Sequence, residues 1–444
     1  MDFTNMDHSA LTHVGMKRGN NQDNLCAIPA ANEQQYAKQG HLFLVADGMG
    51  GHLGGEKASE MASRIIPLTY SKLIGQSGAS LTDSLTRAFS DANDAIHRKG
   101  HEGRDFFNMG TTCSCLIIRD DGAWVGHVGD SRIYLVRGGR IHQLTFDHSM
   151  VWQAAKDRGV DPDTVHDVMS NRILRCLGPE RLVDVDIQGP YPIQPGDAFV
   201  LCSDGLSGFV ADTEMAMAAS ILPAEKATNF LVTLANLRGG GDNISVVVAK
   251  VPGGIAETAR ATLSEPELSA SRKTFHYWIW VATGIFGSLS FVGALMFFLM
   301  SGQDNDAIKG VLLATLTGFM ISLLAGITLL VLDVVKQSSG TKSEEAHVPI
   351  SRARKWALSR SVIDSIRNQV GEILVPAEKI MEKAEIEAIR LKLASIKSDC
   401  DQGYERSAYT QAAETMSGLL PVIEKMIRYQ QIPAAPIVIP KPTV

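Results

Sequence analysis

The chain has 444 residues, with 42 Lys and Arg against 48 Asp and Glu, a formal net charge of −6 and 45% hydrophobic residues. At about 150 residues per domain, that length holds two or three units, each able to bury a core. The acidic balance, and a first half without a Lys/Arg stripe, exclude nucleic acid as the main partner, because phosphate contacts need clustered cations.

The N-terminus, MDFTNMDHSALTHVGMKRGNN, lacks the apolar core of a signal peptide, so the first domain is expected in the cytoplasm. Residues 1–251 read as one domain. Its candidate strands are HLFLVAD, TTCSCLIIR, AWVGHVGD, RIYLVRGG, DAFVLCSD and ISVVVAKV, each bounded by Gly, Asp or Asn. Helical patterns fall at about 55–75, 80–99 and 223–238. RIYLVRGGRIHQL contains a Gly-Gly hairpin turn, which points to antiparallel strands within an α+β layer fold. The six cysteines, Cys26, Cys113, Cys115, Cys176, Cys202 and Cys400, are scattered, several of them in apolar runs. Buried free thiols are one reading. Zinc is the other, and Cys113 and Cys115 lack the second pair that it needs.

Residues 252–273 have linker composition, rich in Ala, Ser, Thr, Glu and Pro. Two uncharged apolar runs follow, Trp278 to Met300 and Gly310 to Leu332, each near the roughly 20 residues that span a bilayer as a helix. They predict a transmembrane hairpin over 274–335 with a short loop at 301–309. Arg272, Lys273, Lys336, Lys342, Arg352, Arg354 and Lys355 flank the pair, so the positive-inside bias places both flanks in the cytoplasm. Residues 336–444 read as a helical tail with a proline-rich end. Ile363, Ile366, Val370 and Ile373, then Ile386, Ile389, Leu393 and Ile396, recur at heptad spacing, which suggests a small bundle or a dimerising segment.

The chemistry lies in carboxylates at strand ends. FLVADGMGGHLGGEKAS ends an apolar run at Asp47-Gly48, and Asp130 (GHVGDSR), Asp204 (VLCSDG) and Asp242 (GGGDNISVVV) sit in the same kind of place. Singly, each suits a turn, since Asp bonds its own backbone there. Four of them in one domain, with Asp23 in RGNNQDN, suggest one pocket. An all-oxygen cluster suits Mg²⁺ or Mn²⁺, and the packed anions in turn need cations. Two ions about 4 Å apart can activate water against a phosphoryl group. Arg18 is placed to hold a phosphate, or else is a surface arginine beside Lys17.

The ordered set RGNNQD, VADGMGGH, MGTTCSCLI, HVGDSRIYLVRGGRIHQLTFDHS, SNRILRCLG, PGDAFVLCSDGLSGFV and GGGDNISVVVAKV resembles the bacterial branch of the metal-dependent Ser/Thr protein phosphatases, the PPM or type-2C family, over roughly residues 8–251. The resemblance implies a four-layer β-sandwich of antiparallel sheets flanked by helices, with two Mn²⁺ or Mg²⁺ ions and a third, weaker one at one end. It makes Asp47 the bridging ligand, Gly48 a carbonyl ligand, Asp204 and Asp242 ligands of one ion, and Asp23 a support of the other through water. Asp130 with Asp204 matches the third site, Arg18 the phosphate-binding arginine, and about 147–171 the flap. Two positions depart from the pattern. Gln22 stands where the family usually has Glu, and Met49 where many members have His, which leaves the proton donor open between His52 and a metal-bound water.

The expectation is a two-pass inner-membrane phosphatase with its catalytic domain and tail in the cytoplasm. A metal-bridged hydroxide would attack phosphoserine and phosphothreonine on protein substrates, opposing a Ser/Thr kinase. Its other expected partners are the lipid bilayer and a second copy through the membrane helices or tail. The alternative is a membrane scaffold or sensor whose weak or inactive phosphatase fold and tail recruit partners.

Overall fold

The computed structural model describes residues 6–50, 53–76, 78–169, 172–253, 352–355, 360–377, 383–402 and 406–430. Two antiparallel sheets organise them. The first has the order β1 (Asp7–His13), β11 (Ile244–Lys250), β10 (Ala198–Cys202), β7 (Arg132–Arg137), β8 (Arg140–Gln143) and β12 (Arg352–Lys355). The second has the order β2 (Asp23–Ile28), β3 (His41–Met49), β5 (Cys113–Arg119), β6 (Gly122–Val128) and β9 (Asp186–Tyr191), with β4 (Gly110–Thr111) paired to the end of β3. Gly138 (φ +54°) and Gly139 (φ +74°) form the β7–β8 turn in the left-handed conformation that a two-residue hairpin requires.

The strands read as unbroken apolar runs because both of their faces are covered. Leu42, Leu44 and Ala46 of β3, with Cys113, Cys115 and Ile117 of β5, pack against Ala62, Ile66 and Phe89 of helices α2 (Gly54–Leu73) and α3 (Leu81–Gly100). The alternate residues Phe43, Val45, Leu116 and Ile118 are fully buried on the opposite face, toward the other sheet. In the first sheet Tyr134, Val200, Val246 and Val248 pack on α6 (Asp212–Ile221) and α7 (Ala224–Leu237). The result is helices, sheet, sheet, helices. The smaller helices are α1 (Glu33–Gln39), α4 (Met150–Arg158) and α5 (Asp204–Ser207). Cys113, Cys115 and Cys202 are buried free thiols, and burial pushes each thiol pKa up, as expected of packing residues.

Among the described residues of the tail a strand precedes the helices. β12 pairs antiparallel with β8, Arg352 opposite Gln143 and Lys355 opposite Arg140, and so covers an edge that would otherwise stand open. Helices α8 (Arg360–Ala377), α9 (Lys383–Gln402) and α10 (Arg406–Gln430) follow. Their heptad residues Ile363, Ile366, Val370, Ile386, Ile389 and Ile396 lie in the same buried cluster as Phe230, Leu231 and Leu234 of α7. Residues 1–261 and 348–444 therefore make one compact unit. The apolar stripe expected to join helices to each other or to a second copy also packs against the chain's own helical layer.

The membrane hairpin expected over 274–335, the linker 252–273 beyond Gly253 and the proline-rich end lie outside the described residues. Among the described residues no helix is long and apolar enough to cross a membrane.

Candidate metal centre

Five aspartates arrive at one end of the sandwich because alternating strand directions bring one strand's end beside the next one's start. Asp47 lies near the end of β3 and Asp23 opens β2 as its cross-strand partner. Asp204 opens α5 two residues after β10. Asp242 precedes β11, and Asp130 stands in the turn from β6 to β7. The sequence expected these five together, and in the fold each lies near enough to another for their charges to interact. Burial, then Asp23, Asp204 and Asp130, raise the Asp47 pKa well above the carboxylate range. Burial pushes Asp23 up to about 7, with Asp204 and Asp242 adding to it against the Ser203 hydrogen bond. Asp130 is likewise pushed up to about 7, by burial and by Asp204 and Asp147 against Arg132. Burial and Asp242 raise Asp204.

The backbone at the centre is tightly pinned. The Asp47 amide donates to Thr112 Oγ1 (2.9 Å), its carbonyl accepts from the Thr112 amide (2.9 Å) and from Thr111 Oγ1 (2.9 Å), and the Gly48 amide donates to the Gln22 carbonyl (3.1 Å). The glycines earn their place by close approach. A Cβ on Gly48 would overlap the Gly55 carbonyl, and one on Gly55 would stand 2.8 Å from the Gly48 carbonyl, so the start of α2 can cross β3 only where both lack side chains.

Arg18 stands at the rim, about half exposed, and donates to Asp242 Oδ2 (2.8 Å). Gln22 Nε2 donates to the Gly50 carbonyl (3.2 Å). Met49 carries no proton to give, and His52 lies outside the described residues. Asp147, at the start of the stretch that resembles the flap, is anchored by its carboxylate. It is 3% exposed, takes Arg132 Nε (2.9 Å) and Nη2 (2.7 Å) on Oδ2 and Gln143 Nε2 (2.8 Å) on Oδ1, and the Ser149–Ile173 bridge closes the neck above it.

Two residues that hold the site were missed in the sequence. Asn243 is 5% exposed; its Nδ2 donates to the Val14 and Asn20 carbonyls (2.9 Å each) and its Oδ1 accepts from the Gln22 amide (2.8 Å), tying the Arg18 loop to Asp242. Ser203 Oγ donates to Asp23 Oδ2 (2.7 Å) and accepts from the Ser245 amide (3.0 Å). Both stood beside quoted aspartates, in GGGDN and CSDG, but their partners are remote in sequence.

The donor set fits hard cations. Asp23 Oδ1 and Asp130 Oδ1 are buried with no hydrogen-bond partner, a cost that protonation or a neighbouring cation relieves. Among the described residues no group of three or more His, Cys, Asp or Glu is arranged around one ion centre, and the Asp47 and Asp204 carboxyls share a hydrogen bond. Such a contact lets two crowded carboxyls share a proton.

The sequence profile of the family described as Protein phosphatase 2C matches residues 19–235. The chain is 34% identical to Protein phosphatase PhpP of Streptococcus pneumoniae over 248 residues, 55% of this chain and 98% of that protein. It is also 34% identical to Serine/threonine phosphatase stp of Listeria monocytogenes over 243 residues, 54% and 93% of the two chains. The catalytic domain of the serine threonine protein phosphatase PstP, solved in complex with 2 manganese ions, is similar at 31% identity and a TM-score of 0.46, over 56% of this chain and 98% of that one. The chain belongs to the protein phosphatase 2C family of Ser/Thr protein phosphatases, and is a hydrolase by class.

Proposed function

We propose that the chain is a membrane-anchored phosphatase that removes phosphate from Ser and Thr of proteins at the cytoplasmic face, opposing a Ser/Thr kinase. The single observation that carries the catalytic part is the convergence of five aspartates with two buried, unpartnered carboxylate oxygens at one end of the sandwich. Two Mn²⁺ or Mg²⁺ ions are the family's cofactors. Asp23, Asp47, Asp204, Asp242 and the Gly48 carbonyl would hold them, with Asp130 and Asp204 at a third, weaker site. Bound there, the ions supply Lewis-acid polarisation and a water nucleophile near neutral pH.

The chain's own residues supply orientation and charge balance. Arg18 presents paired N–H donors suited to two phosphate oxygens, and its bond to Asp242 keeps it at the rim within reach. The Thr111 and Thr112 bonds fix where Asp47 points, which positioning of a reacting group requires. Gln22 adds no charge where the family usually has Glu, so one ion is held more weakly.

The anchor reading rests on the two uncharged apolar runs, Trp278 to Met300 and Gly310 to Leu332, each near the roughly 20 residues that span a bilayer as a helix. The scaffold alternative drew its motive from the tail, and much of the tail's apolar surface is buried against α6 and α7.

The test uses the full-length chain with phosphothreonine and phosphotyrosine peptides, in Mn²⁺ and in EDTA. Mn²⁺-dependent hydrolysis that favours phosphothreonine is expected. Equal activity in EDTA, or a phosphotyrosine preference, would refute the reading.

A further inference from the structure

The tail's docking reaches the metal-site loop. After α7, the segment from Arg238 to Asn243 carries Asp242 into the aspartate cluster. Arg238 is 6% exposed, and its guanidinium donates to both Glu214 oxygens (2.6 and 2.7 Å) and to the Phe209 carbonyl (2.8 Å). It also donates, through Nε and Nη2, to Gln369 Oε1 of α8 (3.1 and 2.9 Å). Two residues earlier, Asn236 Nδ2 donates to Glu424 Oε1 of α10 (3.0 Å), which lies 3.6 Å from His13 Nε2 at the end of β1.

On its other side this segment meets the Arg18 loop. The Met16 amide donates to the Gly240 carbonyl (2.8 Å), the Gly15 amide to His13 Nδ1 (2.9 Å), and Arg18 to Asp242. Gly239 (φ +114°) and Gly240 (φ +48°) leave the segment little stiffness of its own, so outside bonds set its path. Those bonds come from the Arg18 loop on one side and, on the other, from Glu214, the Phe209 carbonyl and two tail side chains.

We infer that Gln369 and Glu424 are positioning residues for the phosphatase site. The tail, docked on α6 and α7, fixes the placement of Asp242 and Arg18, so metal affinity and turnover depend on a segment that lies beyond the apolar runs in the chain. This rests on the phosphatase reading of the aspartate cluster. The Lys226–Glu414 ion pair (3.4 Å) joins the same tail to α7 away from the loop and serves as the control.

The experiment measures Mn²⁺ binding by calorimetry, and kcat and KM on a phosphothreonine peptide, in the full chain and in Glu424→Ala, Glu424→Gln, Gln369→Ala and Glu414→Ala. Circular dichroism checks that each variant is folded. Glu424→Ala and Gln369→Ala are expected to weaken Mn²⁺ binding on the order of tenfold, as loss of a group that orients a ligand does, and to lower kcat. Glu424→Gln, which keeps an acceptor for Asn236, restores both, and Glu414→Ala leaves both unchanged. Should Glu424→Ala not fold, Gln369→Ala carries the same test from a part-exposed helix position. Folded Ala variants that bind Mn²⁺ and turn over like the parent overturn the inference, as does an equal loss in Glu414→Ala. A parent chain that neither binds Mn²⁺ nor hydrolyses the peptide would instead remove the reading on which the inference rests.

Discussion

Asn243→Ala tests how the site is held together. The side chain makes three hydrogen bonds of 2.8 to 2.9 Å to the backbone of residues 14, 20 and 22, and it is 5% exposed. Truncation leaves two carbonyls and one amide of the Arg18 loop without partners. At about 1 kcal/mol per bond lost, that costs roughly 3 kcal/mol of stability. A domain of this size melts about 2–4 °C lower per kcal/mol, so the midpoint should fall by roughly 6–12 °C. The loop also carries Arg18 and leads into Asp23, and misplacement of such groups by about 1 Å costs on the order of 10²-fold in kcat/KM. Asn243→Asp keeps the acceptor for the Gln22 amide but loses both donors and adds charge beside Asp242, so it should rescue neither property. Calorimetric melting and steady-state hydrolysis by the same preparations decide the matter. An Asn243→Ala protein with the parent's midpoint and the parent's kcat/KM would refute the reasoning.

Gly48→Ala drives a methyl group into the Gly55 carbonyl, so β3 or α2 must shift at the ligand strand, and activity should fall on the order of 10²-fold in a protein that still folds; an active Gly48→Ala would mean the crossing has slack. Arg137→Met strips the partner from Asp197, an ion pair 7% and 1% exposed, and should cost about 3–5 kcal/mol in urea unfolding without changing the Mn²⁺ dependence of turnover. Burial and the neighbouring His148 lower the His127 pKa from 6.5 to about 3. Between those values the unfolded chain takes up a proton that the native protein refuses. The neutral histidine's contribution is therefore complete above about pH 6.5 and declines by about 1.4 kcal/mol per pH unit below it, reaching about 2 kcal/mol at pH 5. Unfolding of the parent and of His127→Gln at pH 7 and pH 5 should show the loss only in the parent.

Much of the catalytic unit was legible because its strands are covered on both faces. Runs such as HLFLVAD and ISVVVAKV declare themselves without alternation, and their closing or opening aspartates mark the sheet end where ligands gather. β1 and β2 were missed because DHSALTH and DNLCAI are half-exposed and mix polar with apolar residues. The tail's heptads announced an apolar stripe but not its partner, since α7 lies more than 100 residues earlier in the chain. Asn243 and Ser203 were invisible for a related reason. Beside a turn, Asn and Ser commonly bond their own backbone, and only the folded chain shows Asn243 reaching Val14 instead.

The most direct measurement is equilibrium dialysis of Mn²⁺ against the full-length chain and Asp47→Asn, with phosphothreonine peptide hydrolysis followed on the same samples. The account predicts two bound ions in the parent, one held more weakly than the other, loss of at least one in Asp47→Asn, and a fall in turnover on the order of 10³-fold, the scale expected when metal-assisted charge stabilisation of several kcal/mol is lost. Parent-like turnover in an Asp47→Asn protein, or hydrolysis by a chain that retains no metal, would contradict it.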